Sequence, residues 1–364
     1  MATIYDVAKA AGVSPKTVSR VLNGDGPVGK KTRDAVEKAI EGLGYVPSSA
    51  ARTMRSNRSG LIGLITGAIS LTPSKHDQAG LPDLFIVQGI QKALEAEGKT
   101  LLISDTGGRL DRVPQLMRTF AEHRVEGLIY VAEHHMRVDL PRTPGIGHVV
   151  IANGYDDHGT ACVLPDDQSG QRRLVAEMIA QGHRRIAYLT LPKPMDATRL
   201  RTAGYREALE RAGIAYDPDM VIEADLPKPD PEAETQLLWH AIDKLMSLAE
   251  PPTAICMGND RMAMRAYGIL RSRGLTLPDD ISIAGFDNYR IVAETLYPPL
   301  TTAELPYAAM GVSAARLLLS LINGTAPEGA ARREVVGGPV CWRDSVAPRV
   351  RTQSNVTPIG RKKT

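Results

Sequence analysis

The sequence predicts a small helical unit followed by a larger α/β body built as two doubly wound parallel-sheet lobes. Three observations carry that prediction. Residues 3–43 hold three short helical patterns separated by turn signals. From Gly60 onward, continuous apolar runs that read as strands alternate with amphipathic helical stretches. A chain of 364 residues is also too long for one core and suggests a small domain plus a large one.

The first helix starts at Thr3, which can cap it, with Asp6 as the acid of a capping box. Val7 and Ala11 recur at helical spacing, and Gly12 supplies the turn. Ser14 is a strong N-cap, and Pro15 sits at the first helical position, where its missing N–H costs nothing. Val18, Val21 and Leu22 form an apolar face; Lys16, Thr17, Ser19, Arg20 and, past the end, Asn23 lie opposite. Two helices this short cannot bury a core alone, so a third is needed. It runs from Lys30 to Leu43, with Val36, Ile40 and Leu43 inward and Gly44 ending it. The pattern is a helix-turn-helix unit whose second helix would enter a DNA major groove. A small helical bundle with a solvated charged face is the alternative.

The run Ile-Tyr-Asp-Val-Ala-x-x-Ala-Gly-Val-Ser-x-x-Thr-Val-Ser-Arg-Val-Leu-Asn from Ile4, then Lys-Thr-Arg-x-x-Val, then Leu-Gly-Tyr-Val-Pro, is long and ungapped. It resembles the headpiece of the LacI/GalR family of bacterial transcriptional regulators, and the resemblance continues to about residue 345. The resemblance implies a headpiece over 1–46, a hinge helix or linker over 47–59, and a periplasmic-binding-protein-like effector and dimerisation domain over 60–345. Within that domain, lobe 1 is expected over about 60–155 plus 290–320, and lobe 2 over about 156–289 plus 321–345. Residues 346–364 read as a flexible basic tail.

The net charge of +3 is unevenly placed. Residues 1–59 carry ten Lys and Arg against five Asp and Glu, so the remainder is slightly acidic. A basic front end fits a polyanion partner that touches the front end alone. In the 47–59 segment, the face of Ala50, Ala51 and Met54 is small and apolar between basic flanks. The family resemblance makes this a hinge helix that folds on DNA and wedges the minor groove, with Met54 where leucine is usual. A plain linker is the alternative.

Strands are expected at Leu61–Thr66, Thr100–Ser104, Gly127–Val131, Val149–Ala152, Ile186–Thr190, Ala254–Met257 and Ser282–Gly285. Helices are expected at Val87–Glu97, Val113–Glu122, Gln171–Gln181, Arg199–Arg211 and Gly311–Ile322. Ligands of such sheets sit outside the carboxyl ends of the strands. That rule picks Ser104-Asp105, Asn153, Asn259-Asp260 and Asp287. Each alone could equally be a helix cap or a turn.

The resemblance implies effector contacts at Asn153, Asn259 and Asp287, and at Arg201 in Arg199-Leu-Arg-Thr-Ala-Gly-Tyr205. Arginine facing an aspartate across a cleft suits a polyhydroxylated or amide-bearing ligand; a structural ion pair is the alternative for Arg201. Two departures bear on ligand class. Asp83 stands where the family often has an aromatic, after a longer loop from Ser70 to Gly80. Leu226 replaces the aromatic of the other lobe. Lost stacking platforms favour a sugar or sugar derivative over a purine, although Phe85, Tyr155 or Tyr289 could restore one. The ligand set is therefore Asp83, Phe85, Asn153, Arg201, Leu226, Asn259 and Asp287.

The expected DNA set is Thr3, Ser14, Pro15, Lys16, Thr17, Ser19, Arg20, Asn23, Thr32, Ala51 and Met54. Lys16 and Arg20 would reach base edges, and Pro15 can offer apolar contact alone. Thr3, Ser14, Thr17, Ser19, Asn23 and Thr32 would contact phosphate or position the helix. Gly29 stands where a capping Ser is common. The expected partners are palindromic operator DNA, a small-molecule effector and a second copy of the chain.

No enzyme motif stands out, and neither cofactor nor metal is expected: Cys162, Cys256 and Cys341 make no zinc spacing, and His134-His135 reads as a solvated pair. The tail lacks leucine heptads, so a dimer is expected rather than a tetramer. No apolar run is long enough to span a membrane, no signal peptide precedes the headpiece, and a cytoplasmic location is expected.

Overall fold

The computed structural model describes residues 2–24, 26–46, 58–67, 83–227, 230–326 and 332–349. The chain divides into two compact units, Met1–Gly60 and Leu61–Thr364.

The first unit holds α1 (Ile4–Ala11), α2 (Pro15–Asn23) and α3 (Lys30–Leu43). Its core is Val7, Ala8, Val18, Val21 and Val36, with Leu22 and Ile40 packed against it. Leu43 was expected inward, but it lies in the last turn before the left-handed Gly44 and is 42% exposed. Both helix starts form as the residues require. Thr3 and Asp6 complete a capping box, with Thr3 N–H and Oγ1 donating to Asp6 Oδ2 at 2.8 and 2.7 Å. Ser14 Oγ accepts the Thr17 N–H at 3.1 Å. Gly29 begins α3 with no side-chain cap.

The second unit contains two six-stranded sheets. The first has the order β11-β5-β4-β3-β1-β2, formed by β1 (Leu61–Thr66), β2 (Thr100–Asp105), β3 (Gly127–Arg137), β4 (Val149–Tyr155), β5 (Ala161–Pro165) and β11 (Arg333–Val336). All its neighbours pair in parallel. α4 (Asp83–Ala96) and α11 (Tyr307–Ile322) pack with one apolar cluster of this lobe, and α5 (Val113–Glu122) with another.

The second sheet has the order β12-β10-β9-β8-β6-β7, from β6 (Ile186–Thr190), β7 (Val221–Glu223), β8 (Ala254–Met257), β9 (Ser282–Asp287), β10 (Thr301–Glu304) and β12 (Val340–Cys341). Its pairs are parallel apart from β10 with β12. α6 (Asp167–Ala180) and α7 (Asp196–Arg211) contribute to one of its apolar clusters; α8 (Pro231–Met246) and α9 (Asp260–Ser272) contribute to the other. α10 (Arg290–Ala293) is a single short turn.

The lobe boundaries differ from expectation. β5 and β11 pair in the first sheet, although 156–165 and 321–345 were assigned to lobe 2. β10 pairs with β9 in the second sheet, although 290–320 was assigned to lobe 1. Short strands with parallel partners far away in sequence carry no local mark of which sheet they join. Among the described residues, the chain crosses between lobes after Pro165, after Glu304 and after Val336.

Candidate effector cleft and DNA-reading helix

A cleft of about 750 Å³ opens between the two lobes at the carboxyl ends of the strands. Lobe 1 lines it with an outgrowth of β3. Between Val131 and Met136 that strand advances five residues while its partner β4 advances two, from Ala152 to Gly154. The excess bulges and presents Glu133, His134 and His135 to the cleft.

Lobe 2 supplies a chain of charges. Arg201, on the first turns of α7, is 3% exposed. Its Nε donates to Asp167 Oδ1 at 2.7 Å and its Nη1 to the Gly258 carbonyl at 2.6 Å. Its Nη2 lies 3.8 Å from Asp287 Oδ1, and its guanidinium carbon sits 3.7 Å from the centre of the Phe286 ring. Asp167 opens α6 just after the first crossing, and its other oxygen meets His135 Nδ1 at 2.8 Å. Burial would raise the Asp167 pKa, but Arg201 and His135 outweigh it and hold the carboxyl below its usual value. Burial likewise works against the Arg201 cation, and Asp167 and Asp287 reverse it, so Arg201 stays charged.

Asp287 ends β9 at φ 114°, a strained conformation for a side-chain-bearing residue. Burial pushes its carboxyl up to about 7, against the pull of Arg201 and with the push of Asp167. Asp260 lies beneath it, fully buried, with its oxygens accepting from Thr302 Oγ1 and the Tyr289 N–H, each at 2.7 Å. Burial first and the neighbouring Asp287 second raise Asp260 well above the ordinary carboxylate range. Asn153, at φ 61°, donates from Nδ2 to the Ala132 carbonyl at 3.2 Å, which fixes its side chain at the cleft floor. Asn259 caps α9 through Oδ1, which accepts the Met262 N–H at 2.7 Å.

The sequence profile described as "Bacterial regulatory proteins, lacI family" matches residues 3–48, and the one described as "Periplasmic binding protein-like domain" matches residues 175–346. The chain is 32% identical over 327 residues to the "HTH-type transcriptional repressor PurR" of Vibrio atlanticus (strain LGP32), covering 89% of this chain and 92% of that one. The chain belongs to the lacI family of bacterial regulatory proteins. Its structure is similar to that of the lac repressor dimer bound to operator and the anti-inducer ONPF, with a TM-score of 0.75, 25% identity and coverage of 95% of this chain and 99% of that one. It is also similar to a transcriptional regulator CelR–cellobiose complex, with a TM-score of 0.62, 30% identity and coverage of 95% and 100%.

In this lacI-family chain, five of the expected ligand residues, Asn153, Arg201, Leu226, Asn259 and Asp287, line one cleft. The rest depart from expectation. Arg201 does not face Asp287 across the cleft; both come from lobe 2, because α7 and β9 belong to the same layer stack. Phe85 is absent from the cleft lining and lines an adjoining groove of about 420 Å³ that shares Asp287, Tyr289, Leu305 and Tyr307 with the cleft. Asp83 opens α4, and its side chain lies outside the described residues. Tyr155 is absent from the lining and instead donates to Asp196 Oδ2 at 2.8 Å, tying β4 to the start of α7; Tyr289 does line the cleft. His134-His135 is not a solvated pair, because the β3 bulge buries His135 against Asp167. Among the described residues no group of three or more His, Cys, Asp or Glu is placed to hold a metal, and no helix is long and apolar enough to cross a membrane.

Sequence reasoning missed Asp167, His135 and Asp196. The one signal for Asp167 was a pair of acids, Asp166-Asp167, after the apolar run Ala161–Leu164 and Pro165.

In the headpiece, Lys16 and Arg20 are exposed on α2, one turn apart, and Pro15 occupies the first helical position. Thr3, Ser14 and Thr17 spend their hydroxyls on local bonds: Ser14 Oγ and Thr17 Oγ1 lie 2.9 Å apart, and Thr3 is held by Asp6. Ser19 and Thr32 are half-buried. Ala51, Met54 and the Asn23 side chain lie outside the described residues.

Proposed function

We propose that this protein is a ligand-controlled transcriptional repressor that binds a pseudo-palindromic operator as a homodimer and takes a sugar or sugar derivative as effector. The exposed Lys16 and Arg20 suit base-edge contacts, with Pro15 and Lys16 setting sequence preference. Ser19, Asn23 and Thr32 serve the phosphates, and Thr3, Ser14 and Thr17 hold the helices in register through their caps. The hinge segment, with Ala51 and Met54, would wedge the minor groove of the operator.

The observation that carries the ligand class is the lining of the cleft. Its polar groups, Asn153, Asn259, Asp287 and Arg201, are fixed by backbone or ionic partners and point at one space. Leu226, Leu191 and Met195 add apolar lining from the same lobe as Arg201, Asn259 and Asp287, with Leu226 where an aromatic platform would serve a flat base. Directional acceptors with little stacking area suit hydroxyl groups. The effector shifts the angle between lobes and so the separation of the two hinge helices; it needs a differential affinity of several kcal/mol between the states.

A second reading is a purine-dependent co-repressor system. The PurR name of the Vibrio relative favours it, and Tyr289 and Tyr307 at the cleft wall supply the aromatic surface it would use. Thermal-shift titration against sugars and purines, repeated with palindromic DNA, separates the two. A sugar that raises the melting midpoint and weakens DNA binding supports the first reading. A purine that raises it and strengthens DNA binding replaces it with the second.

A further inference from the structure

Three arginines line the cleft: Arg137, Arg201 and Arg261. Two are committed. Arg201 is fixed by Asp167, Gly258 and Asp287, and Arg137 reaches the exposed Asp157 at 2.5 Å. Arg261 is different. It follows Asn259 and Asp260 on the first turn of α9, its side chain is one-third exposed, and its nearest carboxylate oxygen, Glu234 Oε2, is 3.9 Å away. That oxygen is already held by Arg265 at 2.5 Å. Asp225, a further acid lining the cleft, is raised by burial and by Glu234, and Asp287 is pushed up to about 7. Two guanidinium groups, of Arg261 and Arg265, converge on the one Glu234 oxygen. Burial first and Arg265 second disfavour the Arg261 cation, against the pull of Glu234, Asp225 and Asp287.

We infer that Arg261 binds an anionic group on the effector, a carboxylate or a phosphate. The inference rests on the sugar reading of the cleft and narrows it to an acidic sugar derivative. A guanidinium in a partly dry wall with unspent N–H groups gains two parallel charge-assisted bonds from such a group. The neutral end of the ligand then meets Asn153, Arg201 and Asp287.

Isothermal titration calorimetry on the purified full chain tests this with matched pairs. Neutral hexoses and disaccharides are compared with their uronic-acid and phosphorylated counterparts, and purine bases with their nucleoside monophosphates. The anionic member of the binding pair should bind about tenfold tighter or more. Arg261→Gln should abolish that preference while leaving the neutral member's affinity in place, and Arg261→Lys should keep part of it. Whether the uronate or the phosphate gains most identifies the anion. Equal affinity for neutral and anionic partners, or an equal loss for both in Arg261→Gln, overturns the inference and leaves the sugar reading standing. Binding confined to the purine pair overturns the sugar reading, and the same comparison within that pair then decides the role of Arg261. Binding by no member contradicts both. Circular dichroism and the melting midpoint of each variant report whether it folds.

Discussion

His135 Nδ1 lies 2.8 Å from Asp167 Oδ2, and both side chains are buried. One comes from the β3 bulge of lobe 1 and the other from the first residue of α6, just after the chain crosses into lobe 2. Asp167 in turn holds Arg201 in the cleft wall at 2.7 Å. The guanidinium orientation is thus linked through one carboxylate to the relative position of the lobes.

Asp167→Asn should be strongly destabilising. It leaves Arg201 as a buried cation short of its main partner, and breaking such a pair costs about 3–5 kcal/mol. Urea unfolding would show an unfolding free energy lower by that amount; a change within about 0.5 kcal/mol, the range of ordinary surface substitutions, would mean Arg201 relies on other partners.

Asp287 sets a pH dependence whose sign is fixed. Its folded pKa of about 7 lies above its ordinary 3.8. Between these values the folded state keeps a proton that the unfolded chain has lost, so stability falls as pH rises from about 4 to about 7 and then levels. Asp287→Asn should flatten much of that decline, leaving the part due to the likewise raised Asp260. Melting midpoints at intervals of pH measure it, and parallel curves for the two proteins would refute it.

Two glycine positions on α4 and α11 should respond oppositely to one on α9. A Cβ at Gly89 would sit 2.1 Å from the Ala308 carbonyl oxygen, and one at Gly311 would sit 2.1 Å from that of Ile86. Alanine at either forces the helices apart, with a cost of about 1–3 kcal/mol. At Gly268, exposed on α9, nothing lies within 4 Å, so alanine should stabilise by about 0.5–1 kcal/mol. Chemical denaturation of the three variants reads both signs.

Tyr155→Phe should loosen the lobes. The Tyr155 hydroxyl donates to Asp196 across the cleft; burial raises that carboxyl, but the bonds from Arg199 and Tyr155 outweigh it and hold it below its usual value. Loss of the bond should cost about 0.5–1.5 kcal/mol and alter effector affinity with no change in the headpiece. Calorimetric titration with an effector checks the affinity, and an unchanged value would separate Tyr155 from lobe closure.

The headpiece was legible because its signals are local. Thr3 with Asp6, Ser14 with Pro15, and Gly12 and Gly44 each declare a helix end within a few residues. The strand ends were legible for a similar reason, and Asn153, Asn259 and Asp287 do meet in one cleft. What failed depends on distant pairing. β5 and β11 are short and gain their identity from each other, Arg333 opposite Cys162, across 171 residues. The β3 extension Glu133–Arg137 is polar and breaks the apolar pattern, so its return to β4 at Met136 left no mark. Arg201 pairs with Asp167 because α6 and α7 pack together, a contact that spacing along the chain does not encode.

Operator affinity measured by fluorescence anisotropy at one fixed salt concentration, with and without an effector found by thermal shift, tests the central claim most directly. A ligand-controlled repressor predicts a shift of at least about tenfold in Kd that disappears in Asp287→Asn, while Lys16→Ala weakens DNA binding with and without ligand alike. Operator binding that stays the same at saturating ligand, or a response that persists in full in Asp287→Asn, would contradict control through this cleft.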